Sequence, residues 1–192
     1  MSLEFDEASH TYTFDGIVIP SVTQVLKPLT DYSAIDPATL KIAQEKGKAI
    51  HKMVELDCSI NLDEAALPEW MRPALERWRQ FVSESGFSVI ASEQRVHSLV
   101  YGYAGTLDLY GEMRGHKVII DIKRSFLAGS VIGFQLAGYR ATFMPEDRNI
   151  KRYALRLTEK GPYRLIEYAD KNDFNHFLTC LAFHNLKTRI ST

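Results

Sequence analysis

Two aspartates and one lysine have the spacing in this sequence that is most typical of a catalytic or metal-binding site. Asp121 and Lys123 follow the apolar run at residues 118–120, and alternation along a strand places both side chains on the same side. Asp108 stands thirteen residues before Asp121, near the end of the preceding predicted strand. If the two strands pair as a hairpin, both carboxylates can reach one point. Two carboxylates with a main-chain carbonyl form the all-oxygen site that Mg²⁺ or Mn²⁺ prefers.

A lysine beside such a site has a plausible chemical role. Lys123 could orient or deprotonate a water, or offset charge on a phosphorane-like transition state. Taken alone, the aspartate–lysine spacing is more typical of an ion pair at the exposed end of a strand, and that alternative stays open. Gly105, three residues before Asp108, indicates either a close approach of backbone or substrate, or a simple bend in the strand.

Helical spacing adds further candidates to this set. His51 and Glu55 are four residues apart, as are Gln135 and Tyr139, so each pair shares one face of a helix. An imidazole can complete a divalent site and shifts its preference toward Mn²⁺. Gln135 and Tyr139 could hold the lysine or contact a DNA phosphate. Glu93 is one more acid in a β-rich segment, with simple solvation as the alternative.

Capping residues, turn dipeptides and hydrophobic periodicity predict the elements that carry these residues. A hairpin is expected around Asp15-Gly16. The predicted helices cover residues 22–26 (capped by Ser21), 36–57, 68–86, 130–143 and a final segment capped by Asp170. The predicted strands cover residues 87–100, 105–110, 117–122, 150–157 and 163–168, with a turn containing Gly111 and Gly115. This order predicts an α/β or α+β fold with a mixed central β-sheet flanked by helices.

The length and composition are those of one globular domain. The chain has 192 residues, of which 45% are hydrophobic and 24% charged, enough to bury a core. We expect a single domain over residues 1–192. In it, an N-terminal hairpin and helices (1–86) pack on a catalytic core (87–168), and a C-terminal helix (170–190) follows.

The charge balance limits how this chain could contact nucleic acid. The formal net charge is only −1, so a nucleic-acid interface would need a local cluster of basic residues. Arg124, Arg140, Lys151 and Arg152 could supply it, with a solvated surface as the alternative for each.

The two cysteines and the hydropathy pattern restrict the class of protein further. Cys58 and Cys180 cannot form a disulfide framework or hold an iron–sulfur cluster by themselves, and are expected to be buried thiols in a reducing compartment. No apolar run reaches the roughly 18 residues of a membrane span, and no signal-peptide pattern opens the chain. The sequence therefore predicts a soluble cytoplasmic protein without a membrane partner.

Taken in order, the candidate residues form a series of motifs. The motifs are Gly47-x-x-x-His51-x-x-x-Glu55, Gly105-Thr-Leu-Asp108, Ile120-Asp121-Ile-Lys123 and Gln135-x-x-x-Tyr139. This series resembles the PD-(D/E)XK nuclease superfamily, and within it the RecB-like and RecE-like exonuclease branch. Residues 20–26 are also similar to the opening of phage-type members of that branch. The resemblance spans about residues 17 to 140.

The resemblance implies a restriction-endonuclease-like fold with a metal site at one end of the sheet. His51, Asp108, Asp121 and the main-chain carbonyl of Ile122 would bind one or two Mg²⁺ or Mn²⁺ ions. Lys123 would be the catalytic lysine.

The same resemblance assigns roles to the remaining candidates. Gln135 and Tyr139 match the family's glutamine–tyrosine helix motif, which assists the lysine and positions DNA. Glu55 and Glu93 would be outer or alternative metal ligands. Asp121 stands where many relatives have glutamate. The cysteine cluster of the iron–sulfur relatives is absent, so no iron–sulfur cluster is expected.

The function implied is a divalent-metal-dependent deoxyribonuclease. An exonuclease that acts on linear double-stranded or single-stranded DNA in recombination or repair is expected, with a homo-oligomer or a recombination partner protein as an open expectation. Three alternatives remain: a structure- or sequence-specific endonuclease of the same superfamily, a DNA-binding module that has lost catalysis, and coincidence in an unrelated α/β protein.

Overall fold

The computed structural model describes residues 2–124, 129–143 and 149–190. The strands, in chain order, are β1 Leu3–Asp6, β2 Thr11–Phe14, β3 Ile17–Ile19, β4 Ser88–Ser98, β5 Tyr103–Met113, β6 His116–Lys123, β7 Lys151–Arg156 and β8 Arg164–Glu167. The α-helices are α1 Val22–Leu26, α2 Pro37–Cys58, α3 Arg72–Ser85, α4 Gly129–Ala141 and α5 Asp173–Ile190.

The larger sheet has the order β4-β5-β6-β7-β8, and it is mixed. The pairs β4–β5, β5–β6 and β7–β8 are antiparallel, whereas β6 and β7 are parallel. A parallel pair needs a crossover connection, and α4 lies in that connection. The strand β6 is central and almost wholly buried, as its continuous apolar run predicts. The predicted fold class, a mixed sheet flanked by helices, is confirmed.

Two hydrophobic clusters cover the central sheet. The first joins α2 and α3 to the sheet and includes Ile50, Met53, Trp78, Phe81, Leu109, Ile120 and Ile122. The second joins α1, α4 and α5 to the sheet and includes Val25, Leu107, Ile119, Leu136, Tyr139 and Phe177. Because Ile119 and Ile120 alternate along β6, each belongs to a different cluster. The helices that carry His51 and Gln135 therefore belong to different clusters.

The strands β1, β2 and β3 form a separate small sheet beside β5. The Tyr12 hydroxyl lies 2.8 Å from the Thr106 hydroxyl. The Ala104 N–H donates to the Pro20 carbonyl at 3.0 Å. Ser21 then caps α1 in a capping box with Gln24, which confirms the predicted helix start. The beginning of β5 thus has the N-terminal segment as a backbone neighbour.

Several predicted boundaries differ from those in the structure. The first strand, β1, was not predicted. The predicted turn at Gly111 is wrong, because β5 continues to Met113. A Cβ at position 111 would lie 2.6 Å from the Phe87 ring, so that glycine makes room for packing. The helix α5 begins at Asp173, and the Asp170 carboxylate instead accepts the Asn172 N–H at 2.8 Å.

Two predicted helix boundaries are confirmed. Asp36 caps α2 by accepting the Thr39 N–H at 2.8 Å, and Gly86 ends α3 with a left-handed φ of 67°. Cys58 and Cys180 are free and half-buried. Among the helices of the described residues, none has both the length and the apolar character needed to cross a membrane.

Candidate active site

The candidate site lies where β5 and β6 separate. Their antiparallel pairing ends at Leu109 and Ile120. Beyond that pair, the Ile122 N–H donates to the Asp108 carboxylate at 2.6 Å. The Asp108 carboxylate thereby accepts a hydrogen bond from the β6 backbone where the strand pairing has ended. This charge-assisted bond holds the carboxylate between the two strands.

His51, on α2, closes this gap from the side of the first hydrophobic cluster. Its Nε2 lies 2.9 Å from the Ile122 carbonyl oxygen. Its Nδ1 lies 3.4 Å from the Asp108 carboxylate and 3.8 Å from that of Glu93. Each ring nitrogen therefore faces an oxygen that could also bind a cation, so His51 and its neighbours form one convergent set.

Glu93 belongs to this set because of the register of β4 and β5. Ser92 pairs with Leu109 and Gln94 pairs with Leu107, so Glu93 stands opposite Asp108. Its φ is +48°, a left-handed conformation that costs a non-glycine residue about 1–3 kcal/mol. Two carboxylates opposite each other also repel. A strained backbone and neighbouring like charges are features that cluster at functional sites.

The chemistry of these donors fits a divalent cation. One ligand atom each from His51, Glu93 and Asp108 lies within 4.8 Å of the others. The Ile122 carbonyl is in contact with the same imidazole. Carboxylate and carbonyl oxygens suit Mg²⁺ and Mn²⁺, and the imidazole nitrogen is better suited to Mn²⁺.

Asp121 and Lys123 form the second half of the site. The Lys123 ammonium lies 2.8 Å from Asp121 Oδ2, and the Gln135 amide donates to Asp121 Oδ1 at 3.0 Å. The Asp121 side chain is 2% exposed, against 28% for Lys123. The Asp121 carboxylate is therefore buried, and it does not belong to a fully solvated ion pair at a strand end.

The charges of the two halves influence each other. Burial raises the pKa of Asp121, Lys123 opposes this and Asp108 adds to it, which brings the pKa to about 6. For Asp108, burial is outweighed by His51 and Lys123, so its pKa is lowered. Burial lowers the pKa of Lys123, but Asp121 and Asp108 outweigh it, so the pKa is raised. The lysine therefore stays protonated near neutral pH.

Tyr139 supports the site from α4, one turn after Gln135. Its ring is buried, and a Cβ placed on Gly105 would lie 2.7 Å from its Cε1 atom. The close approach that Gly105 predicted is therefore made by this protein's own tyrosine. Burial raises the pKa of the Tyr139 hydroxyl well above its usual value, and the charge of Asp108 adds to the rise. The hydroxyl stays neutral and can donate a hydrogen bond.

The two less certain acids differ in position. Glu93 lies in the cluster with His51 and Asp108. Glu55 is half-buried and forms an ion pair with Lys52 at 2.8 Å. The importance of Glu93 could have been found from the sequence only by aligning β4 with β5, which places residue 93 opposite residue 108. The catalytic and metal-binding roles of these residues remain predictions.

The structure changes the interpretation of the four basic residues that were expected to form a phosphate-binding patch. Arg152 is buried, pairs with Asp173 at 2.9 Å and donates to the Gly133 carbonyl at 3.0 Å. Its assignment to a phosphate-binding surface is therefore wrong, because the guanidinium ties β7 to α4 and α5. Arg124 pairs with Glu159 at 3.0 Å. Arg140 and Lys151 are half-buried.

Comparisons with known proteins gave distant structural similarity only. No family model matches the chain, and no curated protein matches it. Among solved structures, it is similar to an alkaline exonuclease, LHK-Exo, from Laribacter hongkongensis, with a TM-score of 0.47 and 13% identity over 89% of this chain and 88% of that one. The structure of LHK-Exo in complex with dAMP gives a TM-score of 0.43 and 13% identity over 90% and 89%. Similarity at this level says nothing about activity.

Proposed function

We propose that this protein is a divalent-metal-dependent deoxyribonuclease of the PD-(D/E)XK type. One observation carries the proposal: a cluster of His51, Glu93 and Asp108 stands beside a buried Asp121–Lys123 pair at the point where two strands separate. A cation-binding cluster next to a fixed ammonium group suits hydrolysis of a phosphodiester, whose transition state carries negative charge. The exonuclease assignment, and a role in recombination or repair, come from the resemblance of the motifs.

Five groups would hold the cation. His51, Glu93 and Asp108 supply side-chain ligands, the Ile122 carbonyl supplies a main-chain ligand, and Asp121 supplies a further carboxylate at the border with Lys123. Mg²⁺ or Mn²⁺, when bound, polarises the scissile phosphate and lowers the pKa of a bound water. Glu55 could act as an outer ligand only if it left its ion pair with Lys52.

Lys123 would act as a hydrogen-bond donor and a positive charge, because its ammonium lies 2.8 Å from the Asp121 carboxylate beside the cation-binding cluster. Its ammonium would orient the attacking water and neutralise charge on the phosphate oxygens as the transition state forms. Attack forms a bond from the water oxygen to phosphorus and breaks the bond from phosphorus to the 3′ oxygen, while the water gives up a proton to solvent and the 3′ oxygen takes up a proton from solvent. The products are a 5′-phosphate and a 3′-hydroxyl.

Gln135 and Tyr139 are positioning residues in this mechanism. The Gln135 amide holds one oxygen of Asp121, which leaves the other facing Lys123. Tyr139 packs against Gly105 and so sets the distance of α4 from β5. Loss of either contact would move the Asp121–Lys123 pair relative to the cluster of His51, and small displacements of catalytic groups cost large factors in rate.

The test is a cleavage assay with purified protein on linear and closed-circular double-stranded DNA, in Mg²⁺, in Mn²⁺ and in EDTA. We expect metal-dependent loss of the linear DNA only. Lys123→Ala should abolish it, whereas Lys117→Ala, which removes the same charge at the opposite end of β6, should not. Lys117 is paired with Glu112 at 2.6 Å, so the two lysine variants each break one ion pair.

The other outcomes separate the alternatives. Cleavage of the closed circle would assign an endonuclease with the same site. DNA binding without cleavage in either metal would favour a module that has lost catalysis. Absence of both binding and cleavage would overturn the proposal. Cleavage that survives both Lys123→Ala and Asp108→Asn would remove this site from the mechanism.

A further inference from the structure

Next to the candidate active site, one glutamate is held between two basic residues. Glu159, in the connection between β7 and β8, accepts from the Lys46 ammonium at 3.2 Å and from the Arg124 guanidinium at 3.0 Å. Both donors converge on the same carboxylate oxygen, Oε1. These contacts lower the pKa of Glu159, which keeps it ionised. An anionic oxygen shared by a lysine and an arginine is the contact pattern of a bound phosphate.

The two cations are attached to the elements that build the active site. Lys46 precedes His51 by five residues in α2, which is about 7.5 Å along the helix axis. Arg124 directly follows Lys123 and is the second residue after Ile122. A strand of DNA whose scissile phosphate reached Lys123 would therefore bring further phosphates near Lys46 and Arg124.

Lys46 has a second contact that remains when Glu159 leaves. The Lys46 ammonium also lies 4.9 Å from the centre of the Trp70 ring, and a cation–π contact holds it when the carboxylate leaves. The Arg124 Nε is buried and has no hydrogen-bond partner among the described residues. With this N–H and the Nη2 group that donates to Glu159, Arg124 could form two hydrogen bonds to one phosphate.

The helix surface beside Lys46 is open at Gly47. A Cβ at position 47 would have no atom of the described residues within 4 Å, apart from its chain neighbours and the backbone of its own helix. Glu159 is half-buried, with 29% of its side chain exposed, so solvent screens its ion pairs in part. A stronger anion can therefore displace the carboxylate at low cost.

We propose that Lys46 and Arg124 form a binding site for a phosphate of the substrate strand, and that Glu159 occupies this site until DNA displaces it. The inference rests on the proposed nuclease function and names a substrate contact of that same site. Glu159 then competes with DNA phosphates for the two cations and so weakens binding of the substrate.

The test measures affinity for a short fluorescein-labelled DNA duplex by anisotropy, in EDTA and at several salt concentrations. Glu159→Gln should bind about two- to fivefold more tightly than the wild type, the range set by an exposed ion pair. Lys46→Gln should bind more weakly, with a salt dependence shallower by about one counterion. In the double variant Lys46→Gln/Glu159→Gln the gain should be lost.

The matched control is Glu112→Gln, which removes the same charge from an ion pair with Lys117 at the far end of β5. A gain in affinity from Glu159→Gln no larger than that from Glu112→Gln would overturn the inference, and metal-dependent cleavage by the wild type would show that the proposed function still stands. If the wild type neither binds nor cleaves DNA, both fail. Repeating the titration with 5′-phosphate and 5′-hydroxyl duplexes identifies the ligand: a gain in both indicates an internal phosphate, and a gain confined to the former indicates a terminal one.

Discussion

Replacement of Gly105 by alanine tests how α4 positions the candidate site. The new Cβ would lie 2.7 Å from Tyr139 Cε1 and 3.5 Å from a Val22 methyl carbon. Tyr139 is 3% exposed, so its ring has little space into which to move. The perturbation is one methyl group, and its nearest neighbours are atoms of Tyr139 and Val22 rather than atoms of the proposed metal ligands.

The expected size follows from the contact distances. The Tyr139 ring has to shift by about 0.7 Å to turn a 2.7 Å contact into an ordinary one at 3.4 Å. Overpacking of this kind costs about 1–3 kcal/mol in the free energy of unfolding. Because Gln135 stands one turn from Tyr139, the shift also disturbs its 3.0 Å bond to Asp121. We expect kcat for DNA cleavage to fall by about 10- to 100-fold.

Two assays measure the effect. Urea unfolding gives the stability cost in two backgrounds, the wild type and Tyr139→Leu, whose shorter side chain removes the clashing atom. We expect a cost of about 1–3 kcal/mol in the wild type and close to none in Tyr139→Leu. Initial cleavage rates are compared with those of Phe87→Leu, a truncation in the other hydrophobic cluster that destabilises the protein away from the site and should leave kcat unchanged.

An equal stability cost of Gly105→Ala in both backgrounds would refute this reasoning, because the tyrosine ring would then not be what the methyl group meets. Normal kcat in a variant that shows the expected stability cost would refute the positioning role of Tyr139 and leave only a packing role.

Three further predictions concern other parts of the molecule. Arg152→Met should lower the free energy of unfolding by about 3–5 kcal/mol, because it leaves Asp173 buried and unpaired. In urea unfolding, Arg152→Met/Asp173→Leu should recover much of that loss. An undiminished loss in the double variant would contradict this explanation. Gly47→Ala should raise the free energy of unfolding by about 0.5–1 kcal/mol, because alanine has the higher helix propensity and its Cβ enters open space. It should also weaken DNA binding, because a strand that reaches Lys46 would meet the new methyl group. Unchanged binding by anisotropy would show that DNA does not approach this face. Burial lowers the pKa of His51, but Asp108 and Glu93 outweigh it, so the folded pKa is raised. The protonated imidazole therefore stabilises the metal-free protein below the unfolded pKa, and this stabilisation is lost as pH rises through the folded pKa. Binding of Mn²⁺ near neutral pH should release a proton, which calorimetry in buffers of different ionisation enthalpy would detect and which His51→Ala should abolish.

Much of the architecture follows from local patterns. Ser21 and Asp36 each cap a helix where the sequence predicts it, because a cap depends on hydrogen bonds within three or four residues. The buried apolar run before Asp121 identifies a central strand, and strand alternation places Lys123 on the same side as Asp121. These predictions succeed because the interactions that decide them lie within one element.

The site depends on pairing between distant segments. Asp108 and Asp121 could be related in advance, since a short hairpin connects their strands. The position of Glu93 opposite Asp108 depends on the register of β4 and β5, and no local signal separates Glu93 from Glu55. The tertiary structure alone shows Glu93 beside His51 and Glu55 beside Lys52.

By itself, the sequence determined the order of helices and strands, the mixed sheet and the residues from which an active site could be built. Only the tertiary structure decided that Tyr139 fills the space above Gly105, that Arg152 is a buried strut rather than a phosphate contact, and that Glu159 stands between two cations. The physical reason is that periodicity and capping are properties of neighbouring residues, whereas burial and charge pairing arise when elements far apart in the chain pack together.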